Sequence, residues 1–163
     1  MRKMPQSRNA MAPIEQAMDG KAQNKAGQKD QVMEEEELQG VKVLVIDDSK
    51  TIRRSAENLL AKEGCAVITA TDGFDALAKI ADSRPEIIFV DIMMPRLDGY
   101  QTCALIKQNS EFKTTPVVML SSKDGLFDKA KGRIVGSDQY ITKPFSKEEL
   151  LGTIKTLCAE RVQ

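Results

Sequence analysis

In this 163-residue chain, four apolar runs end in groups capable of chemistry. Asp47-Asp48 closes VKVLVI (41–46), Asp91 closes EIIFV (86–90), and Ser121-Ser122 closes PVVML (116–120). Lys143-Pro144 follows a weaker run, SDQYIT (137–142). Three carboxylates brought together would repel one another unless a cation neutralised them. Oxygen ligands, few in number and with room left for water and a phosphate, suit Mg2+ or Mn2+. A lysine is a compact point charge for a phosphoryl oxygen, and a serine hydroxyl can donate to another. The chain has no histidine. That removes Ser-His-Asp and Cys-His chemistry and any His-ligated metal. Asp91 is then the natural nucleophile. A carboxylate attacking phosphorus gives an acyl phosphate, with a cation and Lys143 stabilising the charge of the transition state.

Each feature alone has an ordinary explanation. Asp-Asp-Ser before a helix is usually a cap. A lone acid after a strand is usually a turn residue, and Lys-Pro a solvated loop. Cys65, Cys103 and the Met93-Met94 pair read as core packing. Only the joint placement is specific, and it depends on the elements that carry these groups.

Those elements follow a rhythm. VKVLVI is followed by a helical pattern with Ile52, Ala56, Leu59 and Leu60 on one face and Gly64 as a stop. CAVITA (65–70) precedes a helix carrying Ala76, Leu77, Ile80 and Ala81. EIIFV precedes a helix opened by Gly99, and PVVML precedes the helix of KDGLFDKAKGRIV. Ser146-Lys147-Glu148-Glu149 has capping-box form and starts a last helix through about Cys158. Short apolar strands alternating five times with helices predict an α/β fold, a doubly wound parallel sheet with helices on both faces. Ligands in such folds sit outside the carboxyl ends of the strands, which is where the acids, hydroxyl and lysine fall.

Composition narrows the rest. Basic and acidic residues balance at 24 each, and aromatics are only 4% of the chain. Neither nucleic acid nor an anionic membrane is favoured as a partner. No run of about 18 apolar residues is present to span a membrane. The three cysteines are far apart, as in a reduced, cytoplasmic protein. Residues 1–39 lack any apolar period and end in an acidic run, which predicts a disordered tail. Residues 40–159 form the expected domain, and 160–163 its C-terminal end.

Together these motifs resemble the CheY-like receiver domain of bacterial response regulators, over residues 41 to about 157. The resemblance implies five strands in the order 2-1-3-4-5 with five helices. Asp91, in DIMMPRLDG, would be the phospho-acceptor. Asp48, Asp91 and the main-chain carbonyl of Met93 would ligate Mg2+, with Asp47 acting through a water. Ser121 would be the switch hydroxyl, Tyr140 the aromatic that rotates behind it, and Lys143 the phosphate-binding lysine, its bond to Pro144 being cis. Met93 and Lys123 occupy positions that tune hydrolysis of the acyl phosphate.

The stretches VIDDSKTIRR, DGFDALAKIAD and LSSKDGLFDKAKGRIVGSDQY carry a narrower resemblance, to stand-alone receivers of chemotaxis-like pathways controlling type IV pili and twitching motility. This implies a monomer that takes its phosphoryl group from a histidine kinase or phosphotransfer protein. It would act on a pilus or another motility target through the face of the fourth helix, fifth strand and fifth helix. Three alternatives stay open. A phosphatase of the haloacid-dehalogenase type shares the aspartyl phosphate, but needs a second acid where Met93 stands. A DNA-binding regulator needs a helix-turn-helix, for which little chain follows residue 157. A pseudo-receiver would lack the full acid set.

Overall fold

The computed structural model describes residues 38–122 and 126–158. Strands β1 (Lys42–Ile46), β2 (Ala66–Ala70), β3 (Ile87–Asp91), β4 (Val117–Ser121) and β5 (Gln139–Thr142) alternate with five helices. These are α1 (Lys50–Ala61), α2 (Gly73–Ser83), α3 (Gly99–Gln108), α4 (Leu126–Ile134) and α5 (Lys147–Cys158). All strand pairs are parallel and the sheet order is β2-β1-β3-β4-β5, as expected.

Successive strand residues point to opposite faces, so the sheet has two cores. Val43, Val45, Phe89, Val118 and Leu120 meet Ala56 and Leu60 of α1 and Leu150 and Ile154 of α5 on one side. Leu44, Ile46, Ile88, Val90 and Met119 meet Ala76, Ile80, Cys103 and Ile106 of α2 and α3 on the other. Every residue of β3 is buried, which explains its unbroken apolar run. Cys65 and Cys103 are also buried, as expected of packing residues.

Side chains just past the strands start the helices. Ser49 Oγ accepts from the Ile52 N–H, and Asp72 Oδ1 from the Asp75 N–H. Asp98 and Gln101 form a reciprocal capping box at α3, and Ser146 and Glu149 another at α5. The cap of α1 is therefore Ser49, which leaves the acids before it available for other chemistry.

Two details were not anticipated. The core takes in Leu38, ahead of the first strand, on the α1 and α5 side. The left-handed Gly40 (φ 77°) turns the chain there, and its N–H donates to the Gly64 carbonyl at 2.8 Å. The methionine pair also divides: Met94 is buried, while Met93 is 73% exposed.

Candidate functional site

The strand ends gather their polar groups at one edge of the sheet. Asp47 is the first residue past β1, and its N–H still donates to the Ala70 carbonyl at 3.2 Å. Asp91 is the last residue of β3, paired in register with Leu120. The next N–H, of Ile92, donates to the Leu120 carbonyl at 3.0 Å. Both acids thus leave the sheet from backbone already fixed by its hydrogen bonds. Asp47 is fully buried, Asp91 is 4% exposed, and Asp48 faces solvent.

Carboxylate oxygens of Asp47, Asp48 and Asp91 all lie within 4.8 Å of one another. Lys143 Nζ spans two of them, donating to Asp47 Oδ2 at 3.1 Å and Asp91 Oδ1 at 3.0 Å. Asp47 Oδ1 accepts from the Ser49 N–H at 2.9 Å. The backbone brings Lys143 to this point: its N–H donates to the Ser121 carbonyl at the end of β4, and its bond to Pro144 is cis.

Burial pushes the Asp91 carboxyl up to about 6. Hydrogen bonding and charge from Lys143 pull against that rise, while the charge of Asp47 and a hydrogen bond with Asp48 add to it. Burial also opposes the charge on Lys143, but its contacts with Asp91 and Asp47 outweigh it and hold the ammonium above the usual lysine value. One lysine cannot neutralise three acids. The surplus negative charge, all on oxygen and open to solvent at Asp48, fits a hard divalent cation such as Mg2+. Asp47, Asp48 and Asp91 are the side chains that could hold it.

The neighbouring positions vary. Ser121 is the buried last residue of β4. Tyr140 lies on β5 opposite Met119, half-buried against the core, with Lys129 Nζ 5.6 Å from its ring centroid. Met93 puts its side chain into solvent two residues past Asp91, where it has no proton to give. Lys123 lies outside the described residues.

Two residues that the sequence did not mark as part of the site also shape the pocket. Arg53 Nη1 donates to the main-chain carbonyl of Asp47 at 2.7 Å. Gly99 packs against the backbone that carries Asp91. A Cβ there would strike the Asp91 carbonyl oxygen and come within 2.7 Å of the Ile92 Cα. Gly99 was visible as the opening of a helix, but this close approach was not. Arg53 sits six residues past Asp47, a spacing that carries no signal of contact.

Comparison with known proteins agrees with this geometry. Residues 43–155 match the model of the response regulator receiver domain. The chain is 83% identical over 121 residues to protein PilG of Pseudomonas aeruginosa, covering 74% of this chain and 90% of that protein. It is 40% identical over 116 residues to the alkaline phosphatase synthesis transcriptional regulatory protein PhoP of Bacillus subtilis, covering 71% of this chain but 48% of PhoP. Among solved structures, it is similar to chemotaxis protein CheY4 of Vibrio cholerae, with 36% identity and a TM-score of 0.70 over 72% of this chain and 98% of CheY4. With an acid pocket at the strand ends of a 2-1-3-4-5 sheet, and a family match across nearly the whole of it, the chain belongs to the response regulator receiver family.

Proposed function

We propose that this chain is the phosphorylation switch of a chemotaxis-like phosphorelay, that Asp91 accepts the phosphoryl group, and that the switched surface controls twitching motility by type IV pili. The observation that carries this reading is the juxtaposition of the three acids with Lys143, which spans Asp47 and Asp91. The motility assignment rests on the 83% identity to PilG.

The chain has no histidine, so a histidine kinase or phosphotransfer protein supplies phosphohistidine. The ionised Asp91 attacks phosphorus. An O–P bond forms, the P–N bond breaks, and its electron pair returns to the donor imidazole. Lys143 Nζ, at Asp91 Oδ1 in the resting pocket, is placed to follow the incoming charge onto a phosphoryl oxygen. Asp47, Asp48, Asp91 and the Met93 carbonyl would hold Mg2+, which when bound neutralises charge on the pocket and the transferring group. The exposed thioether of Met93 has no hydrogen bond with which to orient an attacking water. The acyl phosphate should therefore turn over slowly, as a signal and not as a phosphatase intermediate.

The added charge of roughly one to two units then draws the Ser121 hydroxyl. Tyr140 turns into the space this opens, and the face of α4, β5 and α5 changes its preferred packing. That is a population shift biased by local charge. The test is a chromosomal Asp91→Asn replacement scored for twitching zones on agar, alongside phosphotransfer to the purified wild-type chain from kinases of the same organism. Loss of twitching together with labelling of the wild-type chain supports both parts. Labelling with unchanged twitching would remove the motility target and leave the phosphorelay.

A further inference from the structure

We propose that Arg53 is a positioning residue of the acid pocket, acting through the main-chain carbonyl of Asp47. The inference rests on the reading of the pocket as a divalent-cation site and adds to it a residue that touches no ligand.

Asp47 stands where β1 leaves the sheet. Its N–H is taken by Ala70, but the pairing of β1 with β3 ends at Ile46 opposite Val90. The Asp47 carbonyl is thus past the last ladder position, beside a fully buried side chain. Arg53, the fourth residue of α1, closes that gap with a hydrogen bond of 2.7 Å from its guanidinium. Charge-assisted bonds of this kind are among the stronger ones.

The consequence reaches both acids. The Asp47 carbonyl and the Asp48 N–H belong to one planar peptide. Fixing the carbonyl fixes that plane, and with it the direction in which Asp48 leaves the chain. Asp47 has two further anchors on its carboxylate, the Ser49 N–H and Lys143. Exposed Asp48 has fewer restraints, so the orientation of its carboxylate depends most on the peptide that Arg53 holds.

The same guanidinium is a positive charge near a site that takes a cation, and charge alone would disfavour binding. The two effects have opposite signs. If repulsion dominated, removing Arg53 would tighten Mg2+ binding. If bracing dominates, removal loosens it. Groups that orient metal ligands from behind typically change affinity by about 10- to 100-fold when removed, whereas a solvent-screened single charge does less.

The experiment uses the full chain carrying Arg53→Met, which keeps bulk without donor or charge, and Arg53→Lys, which keeps charge and one donor. Mg2+ affinity is measured by calorimetry. Amide exchange at Asp48 and Ser49 is followed by NMR in chelator, with global stability from urea unfolding as the control. The expected result is at least about a tenfold loss of Mg2+ affinity in Arg53→Met, with most of it recovered in Arg53→Lys. In the metal-free Met variant, exchange at Asp48 and Ser49 should speed up by more than any change in global stability accounts for. Unchanged or tighter Mg2+ binding in Arg53→Met, or exchange that follows global stability alone, would overturn the positioning role. Failure of the wild-type chain to bind Mg2+ would overturn the cation-site reading itself and this inference with it.

Discussion

Replacing Asp91 by Asn should make the metal-free protein more stable at neutral pH. Burial raises the Asp91 carboxyl from an ordinary 3.8 to about 6. Between those two values the folded chain holds a proton that the unfolded chain has released, so stability falls as pH rises through the window. Above about pH 6 the full penalty applies. Below about pH 4 both states are protonated and it is absent. At about 1.4 kcal/mol per pH unit, the gap corresponds to about 3 kcal/mol. Asn keeps the shape and an acceptor for Lys143 but never ionises, so the gain should be on the order of 2–3 kcal/mol. For a domain of this size that raises the melting temperature by roughly 5–15 °C. The assay is urea and thermal unfolding of both proteins in chelator, followed by circular dichroism from pH 4 to 8. The Asn variant should be the more stable at pH 7.5, and the difference should shrink towards zero near pH 4. Equal or lower stability of the variant at pH 7.5, or an advantage unchanged down to pH 4, would refute the claim that buried, ionised Asp91 is held against its preference.

The same shift predicts that Mg2+ affinity of the wild type falls as pH drops through about 6, because binding must displace a proton from Asp91. Calorimetry in buffers of different ionisation enthalpy would detect the proton, and a pH-independent affinity would count against it. Gly99→Ala should destabilise the chain by about 1–3 kcal/mol, because both atoms it would strike, the Asp91 carbonyl oxygen and the Ile92 Cα, are backbone. It should also slow phosphorylation of Asp91, and wild-type values for both would show that α3 can back away. Ser121→Ala should still accept phosphate but bind its target more weakly by about 1–3 kcal/mol, the usual range of allosteric coupling. Equal affinities of the two phosphorylated proteins would mean that the signal leaves the pocket by another route.

Much of the fold was legible because strands buried on both faces read as unbroken apolar runs. IIFV in β3 is the clearest, and each such run ended near a polar group that the parallel sheet had to bring to one edge. The acids, the hydroxyl and the lysine were found as a set for that reason. Which carboxylates Lys143 spans was not legible, since that depends on the path of the loop past β5. Leu38 was missed because a single leucine after an acidic run has no period, and its burial depends on the turn at Gly40. Met93 and Met94 carry the same side chain but part company in an irregular loop, where neither helical nor strand periodicity sorts residues. Arg53 carried no signal in the sequence because its partner is a backbone carbonyl, and residue types do not show carbonyls left over at the end of a strand.

Transfer of a phosphoryl group to Asp91 in this pocket is tested most directly by incubating the full chain with a small phosphodonor such as phosphoramidate and Mg2+, followed by intact mass and by peptide mapping after borohydride reduction of the acyl phosphate. The wild type should gain one phosphoryl group, mapped to Asp91, and lose the signal in chelator. Asp91→Asn should gain none at that position. Equal modification of both proteins, or modification mapped to another residue in the wild type, would contradict the account.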